Sequence, residues 1–221
     1  DDAKRRAGES AADIPDDGDV IGLGTGSTAA HAIRALGRRV DAGLDVRGIP
    51  TSFQSRELAR EVGVPLTDLD ETRPDVAIDG ADEIAEDGTL IKGGGAAHAR
   101  EKLVDSAADR FVVVADPTKE SEQLSHPVPV EILPDARVPV ADALRSAGGD
   151  PELRAAERKD GPVVTDNGNL VLDCAFGGID DPNGLARTLS ATPGVVEHGL
   201  FVDLVDELHI GSDDGVEIST Y

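Results

Sequence analysis

Residues 19–40, DVIGLGTGSTAAHAIRALGRRV, join a short apolar run to a glycine-rich turn and then to apolar residues at helical spacing. DVIGLG (19–24) reads as a strand running into the turn. STAAHAIRALGRRV (27–40) reads as a helix, with Ser27 or Thr28 placed to cap it. The alternation continues downstream: LDVRGIP (44–50), PDVAIDG (74–80) and RFVVVAD (110–116) read as strands, SFQSRELAREV (52–62) and GAAHAREKLVDSAA (95–108) as helices. Strands separated by helices of this length predict an α/β fold, a mostly parallel, Rossmann-like sheet covered by helices on both faces.

After Asp116 the texture changes. Residues 117–140 carry five prolines, which marks a crossover into another unit. Beyond it, VPVEIL, a helix near VADALRSAGG, and a turn at Asp166-Asn167-Gly168 between PVVT and NLVLDCAF predict a smaller α+β domain, with DPNGLARTLSA as a helix and GVVEHGLFV completing it. LVDELHIGSDDGVEIST is read as a strand returning to the first sheet. The predicted division is a large α/β domain at 1–127 and 205–221, and a small α+β domain at 128–204.

The 221 residues, 39% of them hydrophobic, suffice for a large domain with a small one beside it. No apolar run approaches the length of a membrane span, and DDAKRRAGES has no apolar signal core, which points to a cytoplasmic protein. The single cysteine, Cys174, excludes an internal disulfide, and its place in NLVLDCAF fits a small buried strand residue. Against 21 basic residues stand 44 acidic ones, a formal net charge of −23, with only 2% aromatics. Such a surface repels nucleic-acid phosphates and anionic membranes, so neither is expected as a partner. Like charge at this density repels itself at low ionic strength, whereas at 1 M salt the Debye length is about 3 Å. The composition therefore points to a salt-rich cytoplasm, as in a halophile. Only five residues are lysine (Lys4, Lys92, Lys102, Lys119 and Lys159) against sixteen arginines, so each lysine is a compact point charge worth following.

Three stretches carry chemistry. In GLGTGST (22–28) alternate glycines turn the backbone tightly and expose amides at a helix start, where Thr25, Ser27 and Thr28 add hydroxyls: a phosphate cradle, although an ordinary glycine-rich βα turn fits the same residues. It matches neither the dinucleotide fingerprint nor a P-loop. VAIDGADEI (76–84) sets Asp79 at the end of a buried strand, with Asp82 and Glu83 following Gly80 and Ala81, for proton transfer, metal binding or a solvated acidic loop. The metal reading is the weaker, since no histidine joins a ligand-spaced pair and the calcium-loop pattern is absent. In LIKGGGAAHAREKL (90–103) Lys92 precedes Gly93, Gly94 and Gly95, and Glu101 follows near the second turn of the helix. A lysine at an oxygen and a carboxylate at the adjacent carbon are the pair that removes a proton α to a carbonyl. Surface pairing of Glu101 with Arg100 and Lys102 fits the spacing equally. VVVADPTKE (112–120) adds a second strand-end cation, Lys119, suited to a phosphorylated ligand or simply to solvent.

Taken together, GLGTGSTAAH, TSFQS, IDGADEI, IKGGGAAHAREK and ADPTK resemble, in order and spacing, the type A ribose-5-phosphate isomerases, and PVEILP and VVTDNGNLVLD extend the match over nearly the whole chain. The resemblance implies interconversion of ribose 5-phosphate and ribulose 5-phosphate in the pentose phosphate pathway, through an enediolate, with no metal and no organic cofactor. It makes Glu101 the base and Lys92 the stabiliser of the enediolate oxygen, with Asp79 and Asp82 binding sugar hydroxyls and assisting ring opening. Thr25, Gly26, Ser27 and Thr28 would hold the phosphate, helped by Lys119 and Lys4, while Gly80, Ala81, Gly93, Gly94 and Gly95 supply substrate-binding backbone. A homodimer or homotetramer is implied as well. The competing readings are a sugar-phosphate sensor domain, which needs no base, and a dinucleotide-binding oxidoreductase, against which the failed glycine fingerprint stands.

Overall fold

The structure is a computed structural model describing Asp1–Tyr221. In chain order its first elements are α1 (Asp2–Ala12), β1 (Val20–Leu23), α2 (Ser27–Asp41), β2 (Arg47–Pro50), α3 (Phe53–Glu61), β3 (Val76–Asp79), β4 (Glu83–Ala85), β5 (Leu90–Ile91), α4 (His98–Asp105) and β6 (Arg110–Ala115). There follow β7 (Glu120–Ser121), β8 (Val128–Ile132), α5 (Arg137–Ser146), β9 (Asp150–Leu153), β10 (Leu170–Ala175), α6 (Pro182–Ser190), β11 (Val195–His198), β12 (Leu200–Phe201), β13 (Glu207–Gly211) and β14 (Val216–Thr220). The chain divides into two compact units, Asp1–Ala81 with Arg100–Glu120 and Asp203–Tyr221, and Asp82–Ala99 with Ser121–Val202. Residues 82–99, placed with the large domain on sequence, thus pack with the second unit, because β5 pairs with distant β12 (Ile91 opposite Leu200).

The first unit is built on a six-stranded sheet in the order β14-β13-β6-β3-β1-β2. All neighbours are parallel except the terminal hairpin of β13 and β14, so the chain does return to this sheet after residue 205. Strands buried along their whole length, such as VIGL and VAID, are what a sheet covered on both faces requires. Ile21, Leu23, Ile78 and Val112 pack on one face against Ile33 and Leu36 of α2, whereas Val20 and Ile49 meet Val104 of α4 in a separate cluster. From β1 the chain first goes to β2 on one side and then to β3 on the other, which puts a topological switch at the carboxyl ends of β1 and β3, the position where open α/β sheets bind ligands.

Helix α1 lies outside every predicted element. Its buried face is Ala7, Gly8, Ala11 and Ala12, small residues that leave no large-apolar periodicity to read. They serve close approach: a Cβ on Gly8 would lie 2.7 Å from Ala32 N and 3.0 Å from Thr28 O in α2.

The second unit contains an antiparallel sheet, β11-β8-β10-β9, and a small sheet of very short strands, β12-β5-β4-β7. Val128, Val130, Ile132, Leu172 and Cys174 turn one face to Val140 and Leu144 of α5 and Leu189 of α6. Cys174 is fully buried, and burial with the nearby Asp150 charge pushes its thiol up to about 12, so it stays protonated. The turn expected at 166–168 forms, with Gly168 at φ +81° and its amide on Thr165 O. The buried Glu131 carboxylate holds that turn to β8 by accepting from Thr165 Oγ1 (2.9 Å), Asn167 Nδ2 (3.0 Å) and Asn169 Nδ2 (2.8 Å). PVVT contributes only isolated bridges, and GVVEHGLFV divides into β11 and β12 at Gly199, whose carbonyl accepts from Lys92 N (2.8 Å). No helix is long and apolar enough to cross a membrane.

Candidate active site

In the first unit, the loop after β1 is shaped by Asp79. This carboxylate ends β3, is 0% exposed, and its Oδ1 accepts from Thr25 N (3.0 Å) and Gly80 N (2.7 Å). Gly24 is what lets it approach: a Cβ there would lie 2.6 Å from Asp79 Cα. Gly26, at φ +109° and ψ 178°, then turns the chain into α2, which begins at Ser27 without a side-chain cap. Its first amides are therefore available to an anion at the positive end of the helix. Thr25 Oγ1 is engaged within the unit, by Ser52 Oγ at 2.6 Å and Thr51 Oγ1 at 2.9 Å, so this threonine ties the loop to the start of α3. Ser52 also caps α3 reciprocally with Ser55. The sequence reading assigned no role to Thr51 or Ser52.

Cations flank the same loop. Lys4 of α1 donates to Ser27 Oγ at 3.2 Å and stands 4.0 Å from Asp116, the residue after β6. Burial pushes the Asp116 carboxyl up, but hydrogen bonds from the Thr118 hydroxyl and amide, with the charges of Lys4 and Lys119, outweigh it and hold the group below the ordinary aspartate value. Lys119 closes the short 3₁₀ turn that follows. Ala81, half-buried, ends this segment of the unit.

Glu101 is 3% exposed, so it does not stand on the helix surface as the surface-pair alternative requires. The predicted helix at 95–108 begins only at His98, so Glu101 stands in its first turn rather than its second. The delay has a backbone cause: Gly93 (φ +109°) and Ala96 (φ +57°) both adopt left-handed conformations, and Ala96 N bonds back to Gly93 O (2.9 Å).

In the second unit, Lys92 follows β5, is 2% exposed, and holds its ammonium 5.4 Å from the centroid of the Phe201 ring, a cation–π distance. Asp82 braces the glycine turn, its Oδ2 accepting from Gly94 N at 2.7 Å. Gly93 and Gly94 are both required sterically, since a Cβ would meet His98 Nδ1 at 2.7 Å or Asp82 Oδ1 at 2.9 Å. Gly95, next in the turn, is exposed. His98, fully buried beside this turn, and Arg154, bonded to the turn's carbonyls, were not marked by any sequence pattern. Gly94, Gly95, Arg154 and Asp173 form part of the wall of a cavity of about 520 Å³. No group of three or more histidine, cysteine, aspartate or glutamate side chains is arranged to hold a metal ion.

The family model of ribose 5-phosphate isomerase A (phosphoriboisomerase A) matches residues 47–215. A ribose-5-phosphate isomerase A of Haloarcula marismortui is 68% identical over 99% of the chain and 95% of its own length, and one of Halorubrum lacusprofundi is 67% identical over 98% and 95%. Among solved structures, ribose 5-phosphate isomerase A of Methanocaldococcus jannaschii superposes with a TM-score of 0.96 at 45% identity, covering 100% of this chain and 99% of its own. A D-ribose-5-phosphate isomerase in complex with phospho-erythronic acid gives 0.96 at 41% identity, covering 99% and 98%.

Proposed function

Because the chain belongs to the ribose 5-phosphate isomerase A family, we propose that its buried charges Glu101 and Lys92 carry the proton transfer that interconverts D-ribose 5-phosphate and D-ribulose 5-phosphate. Glu101 takes the proton from C2 of the open-chain aldose, leaving an enediolate, and returns it to C1 while the hydroxyl proton passes from O2 to O1, which gives the ketose. Lys92 stabilises the oxygen on which negative charge grows, an interaction that strengthens as the barrier is climbed. The observation that carries this reading is the burial of both groups: ionisable side chains are costly to bury, and they concentrate where chemistry needs them.

On the same reading, Asp79 and Asp82 bind sugar hydroxyls and assist ring opening. The phosphate is held by Thr25, Gly26, Ser27 and Thr28 at the start of α2, with Lys4 and Lys119 supplying positive charge. Backbone of Gly80, Ala81, Gly93, Gly94 and Gly95 completes the substrate-binding set. The reaction as assigned uses acid–base chemistry alone. Family membership supports a homodimer or homotetramer, and the net charge of −23 supports a salt-rich cytoplasm and an enzyme that does not bind nucleic acid or anionic membranes.

Conversion of ribose 5-phosphate to ribulose 5-phosphate in molar KCl with EDTA tests the reading. Turnover is expected. A folded protein that binds the sugar phosphate without turning it over would instead be a sensor.

A further inference from the structure

The turn that follows Lys92 is held by a guanidinium anchored on the antiparallel sheet. Gly93 and Gly94 both offer their carbonyl oxygens to Nη1 of Arg154, at 3.0 and 3.1 Å. The other edge of the same group, Nε and Nη2, meets the Asp173 carboxylate at 2.8 and 2.5 Å. Asp173 lies within β10, paired with Pro129 on one side and Glu152 on the other, and Arg154 directly follows β9 with its amide on Val171 O (2.9 Å). A planar guanidinium bound along one edge by a carboxylate is a rigid bridge, and lysine cannot reproduce it.

The turn needs such a bridge. Left-handed backbone at a non-glycine residue, as at Ala96, persists only where the surroundings over-determine it. The bridge also sets direction. In trans peptides C=O and N–H point opposite ways, and the chain has no cis bond, so carbonyls aimed at Arg154 turn the amides of Gly94 and Gly95 to the far side. The Gly94 amide meets Asp82 there.

We infer that Arg154, braced by Asp173, is a positioning residue for the isomerisation: it fixes the glycine turn so that the Gly95 amide and the Lys92 ammonium are held for the enediolate oxygen. The inference rests on the reading given under Proposed function.

The test measures kcat, KM for ribose 5-phosphate, and inhibition by phospho-erythronic acid for wild type, R154A, R154K and D173N in molar KCl, with circular dichroism reporting the fold. Phospho-erythronic acid carries a carboxylate where the reacting carbons of the substrate would lie, so its affinity reports the oxyanion environment. A displacement of reacting groups by about 1 Å can cost about a hundredfold, so R154A is expected to lower kcat by about ten- to a hundredfold. KM should change by less than about threefold, and inhibitor affinity should fall in parallel with kcat/KM, a split that loss of fold would not produce. R154K and D173N should fall between, because each keeps one half of the bridge. A folded R154A with kcat and inhibitor affinity within about twofold of wild type overturns the inference. Should R154A fail to fold, the same criterion applied to R154K and D173N decides it. An inactive wild type would overturn the isomerase reading and this inference with it; an active wild type with unaffected variants would overturn this inference alone.

Discussion

Gly24→Ala puts the packing between the phosphate loop and Asp79 to a quantitative test. The added methyl would lie 2.6 Å from Asp79 Cα and closer still to its carboxylate. Backbone cannot yield as the tip of a long side chain does, so either β1 and β3 separate locally or Asp79 rotates away. Rotation gives up hydrogen bonds from Thr25 N and Gly80 N at 3.0 and 2.7 Å. Overpacking costs about 1–3 kcal/mol and a hydrogen bond to a charged acceptor about 1.5–3 kcal/mol, so with one such bond lost the destabilisation is about 2.5–6 kcal/mol. At about 2–4 °C per kcal/mol for a chain of this size, Tm should fall by about 5–24 °C. Gly26→Ala is the control: nothing lies within 4 Å of a Cβ there, so it carries only the cost of a backbone conformation (φ +109°, ψ 178°) that glycine alone adopts readily, about 1–3 kcal/mol. Thermal unfolding by circular dichroism in molar KCl should rank Gly24→Ala well below Gly26→Ala. A Tm for Gly24→Ala within about 2 °C of wild type, or a larger loss from Gly26→Ala, would refute the reasoning.

Lys92→Ala should lower kcat by about 10²–10³-fold, the scale of a lost oxyanion donor, with a smaller change in KM; steady-state kinetics showing only a raised KM would make Lys92 a substrate binder. Burial pushes the Glu207 carboxyl up, but hydrogen bonds from His209 and Arg110 and the charge of Arg110 hold it below the ordinary glutamate value of 4.5. A carboxylate depressed in the folded state contributes stability above its unfolded value, and that contribution is lost as pH falls through the folded one. Glu207→Gln should therefore destabilise most near neutrality, the gap to wild type closing as pH falls below 4.5, and a gap unchanged across acid unfolding curves would contradict this. With a net charge of −23 and a Debye length growing from about 3 Å at 1 M to about 10 Å at 0.1 M, Tm and activity should both fall on dilution from molar KCl, and full stability in dilute buffer would refute the salt argument.

The βα units from residue 19 onward were legible because β1, β3 and β6 are largely continuous apolar runs and α2 buries Ile33 and Leu36 at helical spacing. Asp79, Lys92, the glycine turn and Glu101 could be singled out for a related reason, since strand ends, glycine clusters and isolated charges are local signals. The sequence hid whatever depends on small residues or on distant pairing. Helix α1 buries alanine and glycine, so its periodicity has no amplitude. The two-residue β5 and β12 are too short to show alternation, and their pairing across more than a hundred residues is what carries 82–99 into the second unit. The start of α4 was misplaced because Ala96, a good helix former, takes a left-handed turn imposed by its surroundings. Arg154 and Asp173, one strand apart in space, look on sequence like two more charges in a chain full of them.

The central claim is that Glu101 is the base, and the most direct measurement is kcat for ribose 5-phosphate isomerisation by Glu101→Gln beside wild type, in molar KCl with EDTA. The substitution keeps the shape of the side chain and removes its ability to accept the C2 proton. The account predicts a loss of about 10²–10⁴-fold in a variant that remains folded. Turnover within about tenfold of wild type would contradict it and send the search for the base elsewhere.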